Sequence, residues 1–322
     1  CDDERLSFLA SKAGQDKLRV ESYGATLDML TSDAMLEAGG RRTVLPSTSP
    51  GSPRSQMMSY HDSMALSRAC GNPTYFITFT ANPTWPEVLE RVKALGAAPT
   101  AVPANDTQEA KDAAAIKQEH LDKETARLRF DIMDEVFQAK ALAMIKELTG
   151  GSTPADGALG AYLGHVVCWE FQKRGLPHVH ILLWCQPHAI PTEGPMIDRV
   201  ISAELPPEPP ANLERSPYKD QRLRDTVLNT MVHSCKCDGC CKRTGICKDG
   251  YPYAYTVATE DRRSAVNKHP AYKRRTPEQH PGSVKVNTTG NRVRTITSAD
   301  IVPFSPYLTL KFDAHINVER CN

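Results

Sequence analysis

The sequence predicts an α+β fold, and three stretches carry that reading. Tyr75 to Thr80, "YFITFT", alternates aromatic or apolar residues with threonine, as a half-buried strand does. Two more strand segments, "AYLGHVVCWEFQ" and "HVHILLW", are joined by "KRGLP", whose Gly175 and Pro177 suit a hairpin turn. "RLRFDIMDEVFQAKALAMIKEL" sets Leu128, Ile132, Val136, Ala139 and Ala143 on one stripe at helical spacing.

Taken in chain order, residues 1–30 read as a mixed helical segment of moderate amphipathicity. "GGRRTVLPSTSPGSPRSQ" breaks it and carries Arg41, Arg42 and Arg54. Ser55 is placed to cap a helix over "QMMSYHDSMALSRAC", which "GNP" ends. The strand at Tyr75 follows, and Asn82 and Pro83 stop it. The Ala-rich, charged stretch from Leu95 to about Thr125 reads as an insertion or a solvated helix. "TGGSTPADG" is a loop between the long helix and the hairpin. Pro- and Glu-rich sequence from Pro187 to about Pro217 reads as a linker or a poorly ordered excursion, and "DQRLRDTVLNTMV" as a short helix. The tail from Ala299 alternates again near its end, and no internal repeat occurs.

With 322 residues there is room for one large domain or two smaller ones. An apolar fraction of 40% beside 24% charged residues fits a soluble globular chain. The net charge of +1 excludes a polybasic binder, so any nucleic-acid contact must come from local patches. No apolar run approaches a membrane span, so no membrane partner is expected. The chain starts at Cys1 without a targeting signal and reads as a fragment.

Ten cysteines are unevenly placed: Cys235, Cys237, Cys240, Cys241 and Cys247 crowd "HSCKCDGCCKRTGIC", which also holds His233. Without a secretory signal, such crowding favours metal over disulfides. Four thiolate or imidazole ligands close a tetrahedral Zn²⁺ site and would fix a loop-rich insertion that has little apolar material. Nearby Lys236, Lys242, Arg243 and Lys248 either track a phosphate backbone or form a solvated surface.

The other feature with chemistry is His178-Val179-His180. Residues two apart on a strand share a face, so two imidazoles point one way while Val179, Ile181 and Leu183 point the other. If the preceding strand pairs antiparallel, its alternation groups Glu170 with Gln172 on one face. Correct register brings that face over the histidines. Two imidazoles with a carboxylate or amide oxygen make an open three-ligand site for Mg²⁺ or Mn²⁺ at a phosphate. Histidines satisfied by neighbours in a half-buried sheet would show the same spacing.

"FITFTANPTWPEV", "EFQKRGLPHVHILLW" and "IVPFSPYLTLKFDAHINVERCN" resemble the Rep-type domain of Helitron transposases, also described as the Helitron helicase-like domain. "GSPRSQMMSYHDSMALSRACGNPTYFITFT" is similar to the same family, and the likeness runs from roughly Arg41 to Asn322. The resemblance implies an HUH endonuclease: an antiparallel β-sheet with flanking helices and a Cys-rich zinc-binding insertion. Within it, 1–70 is a helical lead-in, 71–186 the first part of the core and 187–232 a linker and helix. Residues 233–260 are the zinc-binding insertion, and 261–322 the C-terminal part of the domain. The implied activity is metal-dependent nicking and joining of single-stranded DNA in rolling-circle-like transposition.

By the same resemblance His178 and His180 are the metal pair, with Glu170 the first choice for third ligand and Gln172 nearly as good. A tyrosine is the implied nucleophile, on a helix after "HINVERCN" and thus expected beyond Asn322. Tyr251 and Tyr255 have the right separation, but Pro252 breaks a helix there, and they look like packing residues. "CKRTGIC" matches a His/Cys-containing segment of the family, making Cys241 and Cys247 the surest zinc ligands. His233 and Cys237 complete the set, with Cys235 or Cys240 as alternatives to Cys237.

Candidate DNA contacts are Lys173 and Arg174 in the hairpin turn, Arg54, and the run Tyr272 to Arg275. Trp85 is a candidate for stacking on unpaired bases, whereas Tyr75 fits a core better. No GxxxxGK[ST] loop occurs, so a helicase motor is expected elsewhere in the polypeptide. The family implies a nuclear location and a downstream helicase domain as partner. The alternative is a catalytically silent single-stranded DNA-binding module from a truncated or decayed transposon.

Overall fold

The computed structural model describes residues 46–49, 51–95, 125–126, 128–151, 153–171, 175–207, 221–233, 247, 249–260, 270–281, 284–288 and 292–321. They belong to two compact units, Cys1–Gly71 and Asn72–Asn322.

In the first unit, helix α1 (Pro53–Cys70) starts at Ser52, whose Oγ accepts the Ser55 N–H at 3.1 Å. The cap is therefore Ser52 rather than Ser55. Pro53 has no N–H to satisfy, and its fixed φ suits the first helical turn. Helix α1 buries none of its side chains.

The second unit runs β1 (Tyr75–Thr80), α2 (Pro86–Ala94), α3 (Phe130–Thr149), β2 (Tyr162–Phe171) and β3 (Pro177–Cys185). It continues with the single turn α4 (Gly194–Ile197), α5 (Gln221–Thr230), β4 (Val284–Thr288), β5 (Arg292–Ile296), α6 (Pro306–Phe312) and β6 (His315–Arg320). Four strands form one antiparallel sheet in the order β2-β3-β1-β6, and β4 and β5 pair separately. The α+β class is as expected. The β4–β5 pair and helix α6 were not foreseen.

Alternation makes the main sheet two-faced. Tyr75, Ile77, Phe79, Val179, Ile181, Leu183, Ile316 and Val318 share one face, each 0% exposed. Against it lie Val88 and Val92 of α2, Met133, Phe137, Ala141, Met144 and Leu148 of α3, and Leu308 and Phe312 of α6. Each large side chain so buried contributes about 1.5–3 kcal/mol. Ile181→Ala in the middle of this layer should cost about 2–5 kcal/mol. Trp85 is 0% exposed, and its Nε1–H donates to the Phe312 carbonyl at 2.8 Å. It anchors α6 and is not available to stack on a base.

Helix α3 lies where its periodicity put it, but the buried stripe is rotated. Ile132 and Val136 are buried, whereas Leu128 is 73% exposed and Ala139 and Ala143 also face water. Met133, Phe137, Met144 and Leu148 remove more apolar area from water than two alanines do, and they set the rotation. Gly150 caps α3 in the left-handed conformation. Gly175, in the β2–β3 turn, has φ +82, and a Cβ there would meet Phe130 Cε1 at 2.5 Å. A glycine lets the hairpin close against the start of α3.

The stretch read as a linker does more than connect. Ile197, Ile201 and Ala203 enter the main core, and Leu205 joins a second cluster with Leu223, Val227, Met231, Ile296, Ile301 and Phe304. Its prolines concealed four well-spaced apolar anchors. Helix α5 stands where expected, and no helix among the described residues is long and apolar enough to cross a membrane. The stretch 96–124 lies outside the described residues.

Candidate metal centre on the open sheet face

The opposite face of the sheet is polar at one end. Pairing sets Glu170 of β2 across from His178 of β3, His178 across from Thr80 of β1, and Thr80 across from His315 of β6. The adjacent row is Cys168, His180, Thr78 and Asn317. Glu170 thus comes over the two histidines as its alternation required, whereas Gln172 lies outside the described residues.

Glu170 Oε1 lies 2.9 Å from His180 Nε2 and 3.9 Å from His178 Nε2. One ligand atom from each of the three falls within a 4.8 Å cluster. The imidazoles stand nearly perpendicular, with ring centres 4.5 Å apart. Such an arrangement aims two nitrogens at one point without stacking the rings.

What holds the rings is on β1. Thr80 Oγ1 is 2.7 Å from His178 Nδ1, and Thr78 Oγ1 is 3.1 Å from His180 Nδ1. A hydroxyl both donates and accepts, so it secures Nδ1 in either tautomer. When Nδ1–H donates to threonine, the Nε2 lone pair is free for a cation. Phe76 also stacks on His180, at 5.2 Å between ring centres and 16° between planes.

His178 is 4% exposed. Burial, then the neighbouring His180, pushes its pKa down to about 4, against a smaller pull upward from Glu170. A neutral imidazole is the form that binds a metal. Two imidazoles held from behind and a carboxylate facing them fit a divalent ion with positions left for substrate oxygens.

A second group of ligand atoms comprises His233, Cys247 and Asp249. Cys247 Sγ is 3.3 Å from His233 Nε2, and the His233 ring stacks on Tyr251 at 4.0 Å. Two expected zinc ligands are thereby brought together, and Asp249, two residues after Cys247, was not anticipated. Cys235, Cys237, Cys240 and Cys241 lie outside the described residues, as do Lys236, Lys242, Arg243 and Lys248. Tyr251 and Tyr255 sit on irregular chain rather than a helix, and Tyr255 donates to Thr297 Oγ1 at 3.0 Å.

The basic candidates divide. Lys173 and Arg174 lie outside the described residues, and Arg54 stands in the first turn of α1 in the first unit. The run at 272–275 is structural. Tyr272 is 9% exposed, Lys273 pairs with Asp198 at 3.1 Å, and Arg275 grips Glu204 through two nitrogens. Arg274, 3% exposed, donates to the carbonyls of Ala203, Ser298 and Ile301. Its charge is consumed inside the fold, because a buried guanidinium needs acceptors. Sequence reasoning missed Thr78 and Thr80 as supports, although the Thr-x-Thr alternation of β1 was visible.

Compared with known families, residues 1–183 match the family described as the Helitron helicase-like domain at N-terminus. The match includes Glu170, His178 and His180 and stops short of the Cys-rich segment. No curated protein matches the chain.

Proposed function

The chain belongs to the Helitron helicase-like domain family, and from that membership we propose that Glu170, His178 and His180 form the metal centre of a single-stranded DNA nicking and strand-transfer domain. One observation carries the reading: three ligand atoms converge within 4.8 Å while both Nδ1 atoms are held from behind by Thr78 and Thr80. A buried imidazole needs a partner at Nδ1 in any case; it is the convergence of both Nε2 atoms on one carboxylate oxygen that points to a cation.

The ion suited to this set is Mg²⁺ or Mn²⁺, and it would polarise a non-bridging phosphate oxygen. His178 and His180 would offer Nε2 to the ion, and Glu170 would add the carboxylate oxygen that holds the cation at the sheet surface. Thr78 and Thr80 keep the rings from turning, so the site is organised before DNA arrives. The family implies a tyrosine hydroxyl as attacking group. Its oxygen forms a bond to phosphorus, the bond to the 3′-oxygen breaks, and the phenolic proton ends on that 3′-oxygen. The phosphotyrosyl ester keeps the bond free energy, so joining needs no ATP. A zinc ion on His233, Cys247 and further cysteines of 235–241 would brace the segment after α5. The partners are single-stranded DNA at transposon ends and a helicase domain of the same polypeptide, in the nucleus.

The test is cleavage of a single-stranded oligonucleotide by the polypeptide that includes the tyrosine-bearing helix. With Mn²⁺ or Mg²⁺ it should cut and retain a covalent 5′ adduct. Cutting that persists in EDTA, or that leaves no protein-bound DNA, contradicts the reading. Binding without cutting would favour the silent DNA-binding module.

A further inference from the structure

We infer that the sheet face beside the metal centre seats one unpaired nucleobase, with Phe76 and Leu182 as its floor and Asn317 reading an amino group on its edge. The inference rests on the reading that Glu170, His178 and His180 engage a phosphate of single-stranded DNA.

A third row follows the two polar ones on this face: Val166, Leu182, Phe76 and Glu319, paired across the four strands. Rows on one face of a strand lie about 7 Å apart. This row is therefore the next contact for a strand whose phosphate sits at the ligands. Its apolar members are all partly exposed, whereas their counterparts Ile77, Phe79, Ile181 and Leu183 on the other face are fully buried. An aromatic and aliphatic floor open to solvent is what a base needs, because every base has an apolar face to stack. Phe76 is held for the purpose by its parallel contact with His180. A base stacked there would be coupled directly to a metal ligand.

The edge of this floor is an acceptor. Asn317 Nδ2 donates to Glu319 Oε1 at 3.1 Å. A carboxylate only accepts, so the amide has one orientation, with Oδ1 turned away from Glu319. That Oδ1 is buried and lacks a hydrogen-bond partner among the described residues. A buried acceptor without a donor is rare in a folded protein and marks a place where a ligand can supply one. Glu319 adds negative charge at the same end, which disfavours a phosphate there and favours N–H groups. Cytosine N4 and adenine N6 are such groups, whereas thymine offers a single N–H, at N3, flanked by two carbonyl oxygens that would face the acceptors Oδ1 and Glu319.

The experiment compares binding of short oligo(dT) with the same oligomer carrying one dC or one dA, by fluorescence anisotropy with Mn²⁺ present and with EDTA. The chain should bind the substituted oligomers about three- to tenfold more tightly, the worth of one hydrogen bond. Asn317→Leu and Asn317→Ala should each remove that preference while leaving Mn²⁺ binding unchanged, which also shows that the variants fold. Phe76→Tyr should retain the preference. A wild-type chain with no preference, or a preference that survives both Asn317 variants, overturns the inference. Failure of the metal-site reading looks different, because DNA binding would then be the same in Mn²⁺ and in EDTA.

Discussion

Thr80 Oγ1 stands 2.7 Å from His178 Nδ1, on a neighbouring strand and directly across the ladder. The contact fixes the ring that burial has already made neutral, and it turns Nε2 toward Glu170. Thr80→Val keeps the shape and removes the hydroxyl. Mn²⁺ affinity should fall about 10- to 100-fold, as when other outer-shell partners are lost. Calorimetric titration checks this, and Thr80→Ser should restore most of the affinity. An unaltered affinity in Thr80→Val would show that the threonine is only a core residue.

Glu170 supplies the third ligand atom of the proposed centre, so Glu170→Ala should weaken Mn²⁺ binding by about tenfold or more. Gln172→Ala should leave it nearly unchanged. The reverse ranking would transfer the role to Gln172.

Acid should destabilise the protein before its carboxylates titrate. His178 is held neutral at about 4 against an ordinary 6.5. His315, His165 and His280 are shifted in the same direction, in each case chiefly by burial. The unfolded chain takes up these protons as pH falls through about 6.5, and the folded chain resists. Stability is therefore full above that pH and declines toward pH 4. Urea midpoints in EDTA should be flat from pH 8 to 7 and fall below 6.5, and His178→Gln should shallow the slope. A flat profile down to pH 5 contradicts the burial argument.

The Cys-rich segment should hold about one zinc per chain by elemental analysis. His233→Ala and Cys247→Ser should each release it and lower the melting temperature. Full zinc content in both variants would rule out these two as ligands.

Much of the site was legible in the sequence because strand periodicity is rigid. His-x-His on a strand must share a face, and counting back through an antiparallel hairpin narrows the third ligand to Glu170 or Gln172. The supports on β1 were harder to see. That Thr80 meets His178 depends on which strand pairs with β3, and no local pattern states that β1 inserts between β3 and β6. The basic run at Arg274 misled for a related reason: charge shows in the sequence, but burial does not. Trp85 likewise looked free to stack until the packing of α6 against it was known. The prolines of 187–207 suggested an idle linker, although Ile197, Ile201 and Leu205 carry core contacts.

The central claim is that His178 and His180 bind one divalent ion through nitrogen. Electron spin-echo spectroscopy of Mn²⁺ added to the chain tests it most directly. Two imidazole ¹⁴N couplings should appear in the wild type and vanish in the His178→Ala, His180→Ala double variant. Bound Mn²⁺ without nitrogen couplings, or couplings that persist in the double variant, would contradict the account.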